Sequence, residues 1–278
     1  MRIYAALIYL FLYFPIGLIV FFSFNAGRYA MDWQGFSLQW YLAAWNNPFV
    51  MQSLKTSLIT AGSTAVISVI IGTAAALGIE RIRNAAARQI FDGLIYLAII
   101  VPSIVIGIST LIACVSVFNL LNPVLAAIFG GERPPRLQLG IWTIIASHVL
   151  FNLAVVVLVV RARLATLDKN LVEAAQDLYA TPLGVFRQVL LPLLLPSIIA
   201  GGLLAFTFSL EDYIITSFVA GPYSTLPIYM FASIRRGITP EINAIGTVIL
   251  FSSFTLLILA QWLMRRREVV TVPAKAPA

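Results

Sequence analysis

The chain is poor in the residues that soluble chemistry uses. It holds one cysteine and one histidine in 278 residues. A solitary Cys114 excludes an intramolecular disulfide and a thiolate metal cluster, and a solitary His148 excludes the His-x-x-x-His pair of zinc hydrolases. No Gly-x-x-x-x-Gly-Lys segment is present, so a phosphate-cradling loop is missing. Charge is scarce as well: Asp, Glu, Lys and Arg make up 10% of the residues, against about 25% in ordinary soluble domains. With no clustered nucleophile and no metal set, the expectation is a chain without catalytic residues, metal site or cofactor of its own.

What is abundant is apolar. Hydrophobic residues reach 60% and the mean hydropathy is +0.96. About 20 helical residues cross the roughly 30 Å hydrocarbon core of a bilayer. Runs of that length occur at Ile3 to Ser23, Thr56 to Ile79, Ile90 to Phe118, Ile141 to Val160, Leu193 to Val219 and Ala244 to Met264. They are apolar on every face, which excludes the alternating pattern of a membrane β-barrel. The fold class is therefore all-α: a polytopic membrane protein of about six transmembrane helices, forming one transmembrane domain over residues 1–278. The first run is too long for a signal peptide and lacks an Ala-x-Ala site, so it reads as an uncleaved helix.

Basic residues set the orientation. Twelve of the 18 Lys and Arg residues fall on one side of this topology, among them Arg81, Arg83, Arg88, Arg161, Arg163 and Arg187. That side is expected to be cytoplasmic, with both termini and the loop at about 161–192. A net charge of +7 fits membrane lipid head groups at helix ends and implies no nucleic-acid partner. The tail at about 269–278 reads as disordered. Between Asn25 and Lys55, Trp33, Trp40, Tyr41 and Trp45 suit an aromatic belt or an interfacial helix.

The stretch from Leu167 to Pro192 predicts two short helices. Asn170 with Glu173 suits a capping box, and Leu171, Ala174, Ala175 and Leu178 recur on one helical face. Thr181 followed by Pro182 suits a second start, the hydroxyl capping and the proline filling a first-turn position. The product is a low apolar ridge, fit for a groove on a partner or for the membrane surface.

Glu173-Ala174-Ala175, a gap, and Val189-Leu190-Leu191-Pro192 resemble the EAA loop of ABC importer permeases. Tyr179 stands at the position of the family's glycine and Val189 at that of its isoleucine. The tyrosine is the larger departure, and the turn is expected to shift toward Ala180 and Thr181. The resemblance implies the type I importer permease fold, with Glu173, Ala174, Ala175, Asp177, Leu178, Tyr179, Pro182, Gly184 and Phe186 in an ATPase-docking loop. It also implies a homologous permease subunit, two ATP-binding subunits that hold ATP and Mg, and a periplasmic substrate-binding protein.

A second block, Phe206 to Pro222 continuing through Leu226-Pro227 and Gly237 to Asn243, looks like the spermidine and putrescine branch of these permeases. That likeness implies a polyamine as cargo; related permeases for opines or phosphonates, and a secondary transporter acting alone, are the alternatives. Independently of the likeness, Glu211 and Asp212 interrupt an apolar run. Carboxylates there are costly and face a water-filled pathway, a partner or the outer interface. Adjacent helical residues point about 100° apart, so one of the two faces the pathway unless the helix breaks. His148 and Asn152 share a face and either line the pathway or bond across packed helices. Asp92 reads as an interfacial acid or one favoured by a helix N-terminus. Pro102, Gly107 and Pro196 are candidate bends, and Gly72, Ala76, Gly201, Gly202 and Ala205 suit close helix approach.

Overall fold

The computed structural model describes residues 2–29, 32–131, 134–168, 170–237 and 239–265; the tail expected at 269–278 lies outside them. Among the described residues the chain is all-α, with a single isolated antiparallel bridge between Asn25 and Phe36. The helices are α1 (Arg2–Phe22), α2 (Gln39–Asn46), α3 (Pro48–Glu80), α4 (Ala85–Ile100), α5 (Ser103–Phe129), α6 (Ile141–Leu164), α7 (Asn170–Asp177), α8 (Pro182–Val185), α9 (Leu191–Glu211), α10 (Ile214–Val219), α11 (Leu226–Arg236) and α12 (Pro240–Arg265). A π turn, Phe186–Leu190, carries α8 into α9. Six stretches are long and apolar enough to cross a bilayer: Tyr4–Phe22, Pro48–Glu80, Ser103–Phe129, Ile141–Leu164, Pro182–Glu211 and Pro240–Leu259.

Two of the expected runs are interrupted. The run from Ile90 to Phe118 is two helices, because Pro102 forces Val101 out of the helical region, to φ −63° and ψ 127°. The run from Leu193 to Val219 stops at Asp212, which stands extended at φ −69° and ψ 122°. Both interruptions place backbone polar groups within apolar stretches, where they are tolerated only if protein covers them.

The chain divides into two compact units. The first combines Met1–Ile59 with Pro222–Thr255. Its core joins Ala44, Val50, Leu226 and Ile245. Its loop after α1 is organised by the fully buried Asn25. The Asn25 Nδ2 donates to the carbonyls of Tyr29 and Asp32, and its Oδ1 accepts from the N–H groups of Gly27 and Gln34. Phe21 stacks on Trp33 and Phe24 on Phe36, with centroids 4.4 and 5.3 Å apart. The segment expected as an aromatic belt or an interfacial helix is a folded loop followed by the short α2, which carries Trp40, Tyr41 and Trp45. α1 itself buries none of its apolar stretch within the chain.

The second unit combines Thr60–Gly221 with Leu256–Ala278. α3, α6 and α9 meet through Ala76, Ile79, Val156, Val157, Val160, Leu194, Ile198 and Ala205. Lipid tails are as apolar as leucine, so close packing rather than water exclusion holds such helices together, and small residues set the spacing. At Gly72 an added Cβ would lie 2.8 Å from the Val156 Cγ1. At Gly107 it would lie 2.7 Å from the Phe218 ring and 3.3 Å from the Ile215 Cα, so α10 rests directly on the α5 backbone.

Candidate functional site

The break between α9 and α10 assembles a buried polar cluster. α6 contributes His148 and Asn152, both 2% exposed. The last turns of α9 contribute Ser209, and the first turn of α10 contributes Thr216. Asp212, in the break, has a side chain that is 16% exposed. Its Oδ2 lies 3.2 Å from the His148 Nε2 and accepts from the Thr216 N–H and hydroxyl, each at 2.9 Å. The His148 Nδ1 lies 2.7 Å from the Ser209 hydroxyl and Nε2 lies 2.9 Å from the Thr216 Oγ1. One assignment of hydrogens satisfies the whole set: Ser209 donates to Nδ1, Nε2 donates toward Thr216 and Asp212, and Thr216 donates to Asp212.

Two acceptors are left over. Every bond to the Asp212 carboxylate among the described residues falls on Oδ2, so Oδ1 is open. The Asn152 Nδ2 donates to the His148 carbonyl at 2.9 Å, while its buried Oδ1 has no hydrogen-bond partner among the described residues. Beside them is a cavity of about 30 Å³ lined by Ser103, His148, Phe151, Asn152, Phe208, Ser209, Asp212 and Ile215. A space of that size is enough to hold a water molecule. The Phe151 and Phe208 rings, 6.2 Å apart between centroids, border it.

Of the four pathway candidates, the structure joins His148, Asn152 and Asp212. Glu211 is exposed on the last turn of α9, outside the cluster. Ser209 and Thr216 escaped sequence reading, although they stand three residues before and four after Asp212, the spacings at which helical neighbours meet. Asp92 is no first-turn acid: it lies well inside α4 and pairs with Arg161.

The loop between α6 and α9 folds as two short helices. α7 begins at Asn170, and the Asp168 Oδ1 accepts the Asn170 N–H at 3.0 Å, so Asn170 is the capped residue rather than the cap. α8 starts as expected, with Thr181 Oγ1 accepting the Gly184 N–H at 3.2 Å and Pro182 in the first turn. The turn does not shift. Tyr179 takes φ 60°, the left-handed region that glycine enters freely, and it is the only non-glycine residue with positive φ among those described. The Tyr179 N–H donates to the Gln176 carbonyl and the Ala180 N–H to the Ala175 carbonyl, the two bonds of a Schellman C-cap. Glu173, Ala174, Asp177 and Pro182 are exposed, Ala175, Gly184 and Phe186 half-buried. Leu178, Tyr179 and Leu183 are 82%, 96% and 73% exposed, while Val185, at 4%, anchors α8. Three large apolar side chains presented on a folded loop form a surface without a partner among the described residues.

A multi-span helical protein with a broken, polar-lined span and a folded loop that exposes apolar side chains has the architecture of a membrane transport component. Residues 68–268 match the family described as "Binding-protein-dependent transport system inner membrane component", and the chain belongs to that family. It is a multi-pass inner-membrane permease. Among its relatives, the "Spermidine/putrescine transport system permease protein PotC" of Escherichia coli K12 is 34% identical over 259 residues, covering 93% of this chain and 91% of the relative. The "Putrescine transport system permease protein PotI" of the same organism is 38% identical over 259 residues, covering 93% and 88%. Among solved structures, a bacterial ABC transporter for the acidic polysaccharide alginate shares the fold with a TM-score of 0.72 at 16% identity, covering 98% of this chain and 95% of that one.

Proposed function

We propose that the chain is one of two homologous membrane-spanning subunits of an ATP-driven, binding-protein-dependent importer whose cargo is a polyamine of the putrescine and spermidine class. The observation that carries the cargo is Asp212, a largely buried carboxylate at a helix break with Oδ1 open. A carboxylate and an ammonium 4 Å apart attract by about 4 kcal/mol at an effective dielectric of about 20. Glu211, exposed beside it, adds a second negative charge at the same break. The printed names of PotC and PotI support the same cargo class.

A cavity of about 30 Å³ does not admit a diamine. Cargo therefore reaches Asp212 only when the break opens and Phe151 and Phe208 part, which fits alternating access. The bias of Lys and Arg toward one side favours cytoplasmic termini and a cytoplasmic α7–α8 loop. There, two partner ATPases carrying ATP and Mg grip Glu173 and the exposed ridge of Leu178, Tyr179 and Leu183, while a periplasmic binding protein delivers cargo to the other face.

The test is uptake of labelled putrescine and spermidine by proteoliposomes holding the complete complex. Asp212→Asn is expected to raise KM at least about tenfold, the equivalent of 1.4 kcal/mol, with ATP hydrolysis intact. Glu173→Ala is expected to lose uptake together with binding-protein-stimulated hydrolysis. An intact, ATP-hydrolysing complex that moves neither amine overturns the cargo assignment and leaves the family untouched.

A further inference from the structure

Among the described residues, three of the four ion pairs meet in one place, where the C-terminal ends of α3 and α6 face α4. α3 and α4 form a tight hairpin. Asn84 caps α4 by accepting the N–H groups of Ala86 and Ala87, and the Arg88 Nη2 donates to both Glu80 oxygens at 2.9 Å. Arg161 then joins this hairpin to α6: its Nε donates to the Glu80 Oε1 at 3.3 Å and its Nη1 donates to Asp92. The Arg161 side chain is only 16% exposed, and Asp92 and Glu80 are 31% and 35% exposed. No other ion pair among the described residues ties α6 to the hairpin.

The position of Arg161 along α6 gives the contact its meaning. His148 and Asn152 lie in the first half of the helix, and Arg161 follows His148 by thirteen residues, about 20 Å along the axis. α7 begins at Asn170, shortly beyond the helix end. One uninterrupted helix thus carries His148 and Asn152 of the polar cluster and Arg161 of the ionic junction, and leads into the loop. α6 already packs on α3 through Ala76, Ile79 and Val156; Arg161 adds the ionic link to both α3 and α4, so that a push on α7 and α8 reaches α3, α4 and α6 together. Arg161 suits this task because a planar guanidinium addresses two carboxylates from fixed directions, which a neutral side chain cannot do.

We propose that Arg161 is a positioning residue that couples the docking loop to the transport helices, by clamping the α3–α4 hairpin to α6 through Glu80 and Asp92. The proposal rests on the importer reading. It differs from a role in folding alone by what its loss does: hydrolysis continues while transport per ATP falls.

The experiment uses the complete complex in proteoliposomes, with uptake and ATP hydrolysis measured on the same preparation. Arg161→Gln is expected to lower uptake per ATP at least tenfold while stimulated hydrolysis stays within about threefold of wild type. Arg161→Lys, which keeps the cation but not the planar fork, is expected to retain the coupling only in part. The triple variant Glu80→Gln, Asp92→Asn, Arg161→Gln leaves neither of these carboxylates stranded, and it is expected to assemble yet remain uncoupled. An assembled Arg161→Gln or triple variant with wild-type uptake per ATP, or one whose hydrolysis falls in the same proportion as uptake, overturns the proposal.

A second readout is independent of cargo, so failure of the polyamine assignment is distinguishable. Spin labels at the exposed Gln89 and Ala162, in a Cys114→Ala background, report the distance between α4 and α6. Wild type is expected to keep one narrow distance in nucleotide-free and vanadate-trapped states, and Arg161→Gln to broaden it. An unchanged distribution in the variant also overturns the clamp.

Discussion

The N–H of Tyr179 donates to the carbonyl of Gln176 at 2.9 Å while Tyr179 itself stands at φ 60°. A side chain at that φ costs about 1–2 kcal/mol because its Cβ crowds the backbone. Packing among the described residues does not offset this, since the tyrosine is 96% exposed. Tyr179→Gly is therefore expected to stabilise the turn by about 1 kcal/mol, a roughly fivefold slowing of amide exchange at residues 179 and 180. Tyr179→Val, β-branched, is expected to speed exchange instead. If the glycine variant also loses ATPase-coupled uptake, the exposed ring serves the docking surface and the strain is retained for function.

His148 and Asp212 are expected to be strongly non-additive. Removing the imidazole by His148→Leu leaves the Ser209 and Thr216 hydroxyls and the Asp212 carboxylate short of a partner in a buried site, a loss of about 2–4 kcal/mol. Asp212→Asn alone leaves the imidazole with its two hydroxyls and costs less. Thermal unfolding of the purified permease complex in nanodiscs, run over both single variants and the double, is expected to give a coupling of about 1–3 kcal/mol. Additive shifts would mean that the 3.2 Å approach is a contact without energetic weight.

Gly72 and Val156 define how closely α3 and α6 pack. A methyl group at Gly72 would lie 2.8 Å from the Val156 Cγ1 and 2.9 Å from its Cβ, and a β-branched valine has little rotamer freedom with which to yield. Gly72→Ala gains about 1 kcal/mol of helix propensity and loses about 1–3 kcal/mol to overpacking. A net fall in thermal stability is expected, and Val156→Ala in the same chain is expected to return most of it. Gly72→Ala more stable than wild type would show that the helices separate at little cost.

The six spans were legible because a bilayer imposes one length and one composition on any helix that crosses it. Asp212 and Pro102 announced interruptions for a similar reason: each is costly in the middle of an apolar helix. What the sequence withheld depends on which residues meet across the chain. Nothing local in His148 or Asp212 tells that they pair, 64 positions apart, and nothing in Asp92 tells that it meets Arg161 rather than the N-terminus of its own helix. The Tyr179 turn was misplaced because residue preference argued for glycine at positive φ, while the flanking α7 and capped α8 hold the tyrosine there. Two well-formed helices joined by a short turn over-determine its geometry, and local preference yields.

Thr181 supplies a last test of that over-determination. Its Oγ1 accepts the Gly184 N–H at 3.2 Å, and its carbonyl accepts the Val185 N–H at 2.9 Å, so one residue starts α8 from both its side chain and its backbone. Thr181→Ala removes the first bond and costs about 1 kcal/mol, whereas Thr181→Ser keeps a cap of equal or better quality. Amide exchange at Gly184 and Val185 is expected to quicken about fivefold in the alanine variant and to stay near wild type in the serine variant. The buried Val185 confines the loosening to the start of α8, so exchange within α9 is expected to be unchanged. Spread of the effect into α9 would mean that α8, the π turn and α9 melt as one element, and that Thr181 holds the entrance of the whole span.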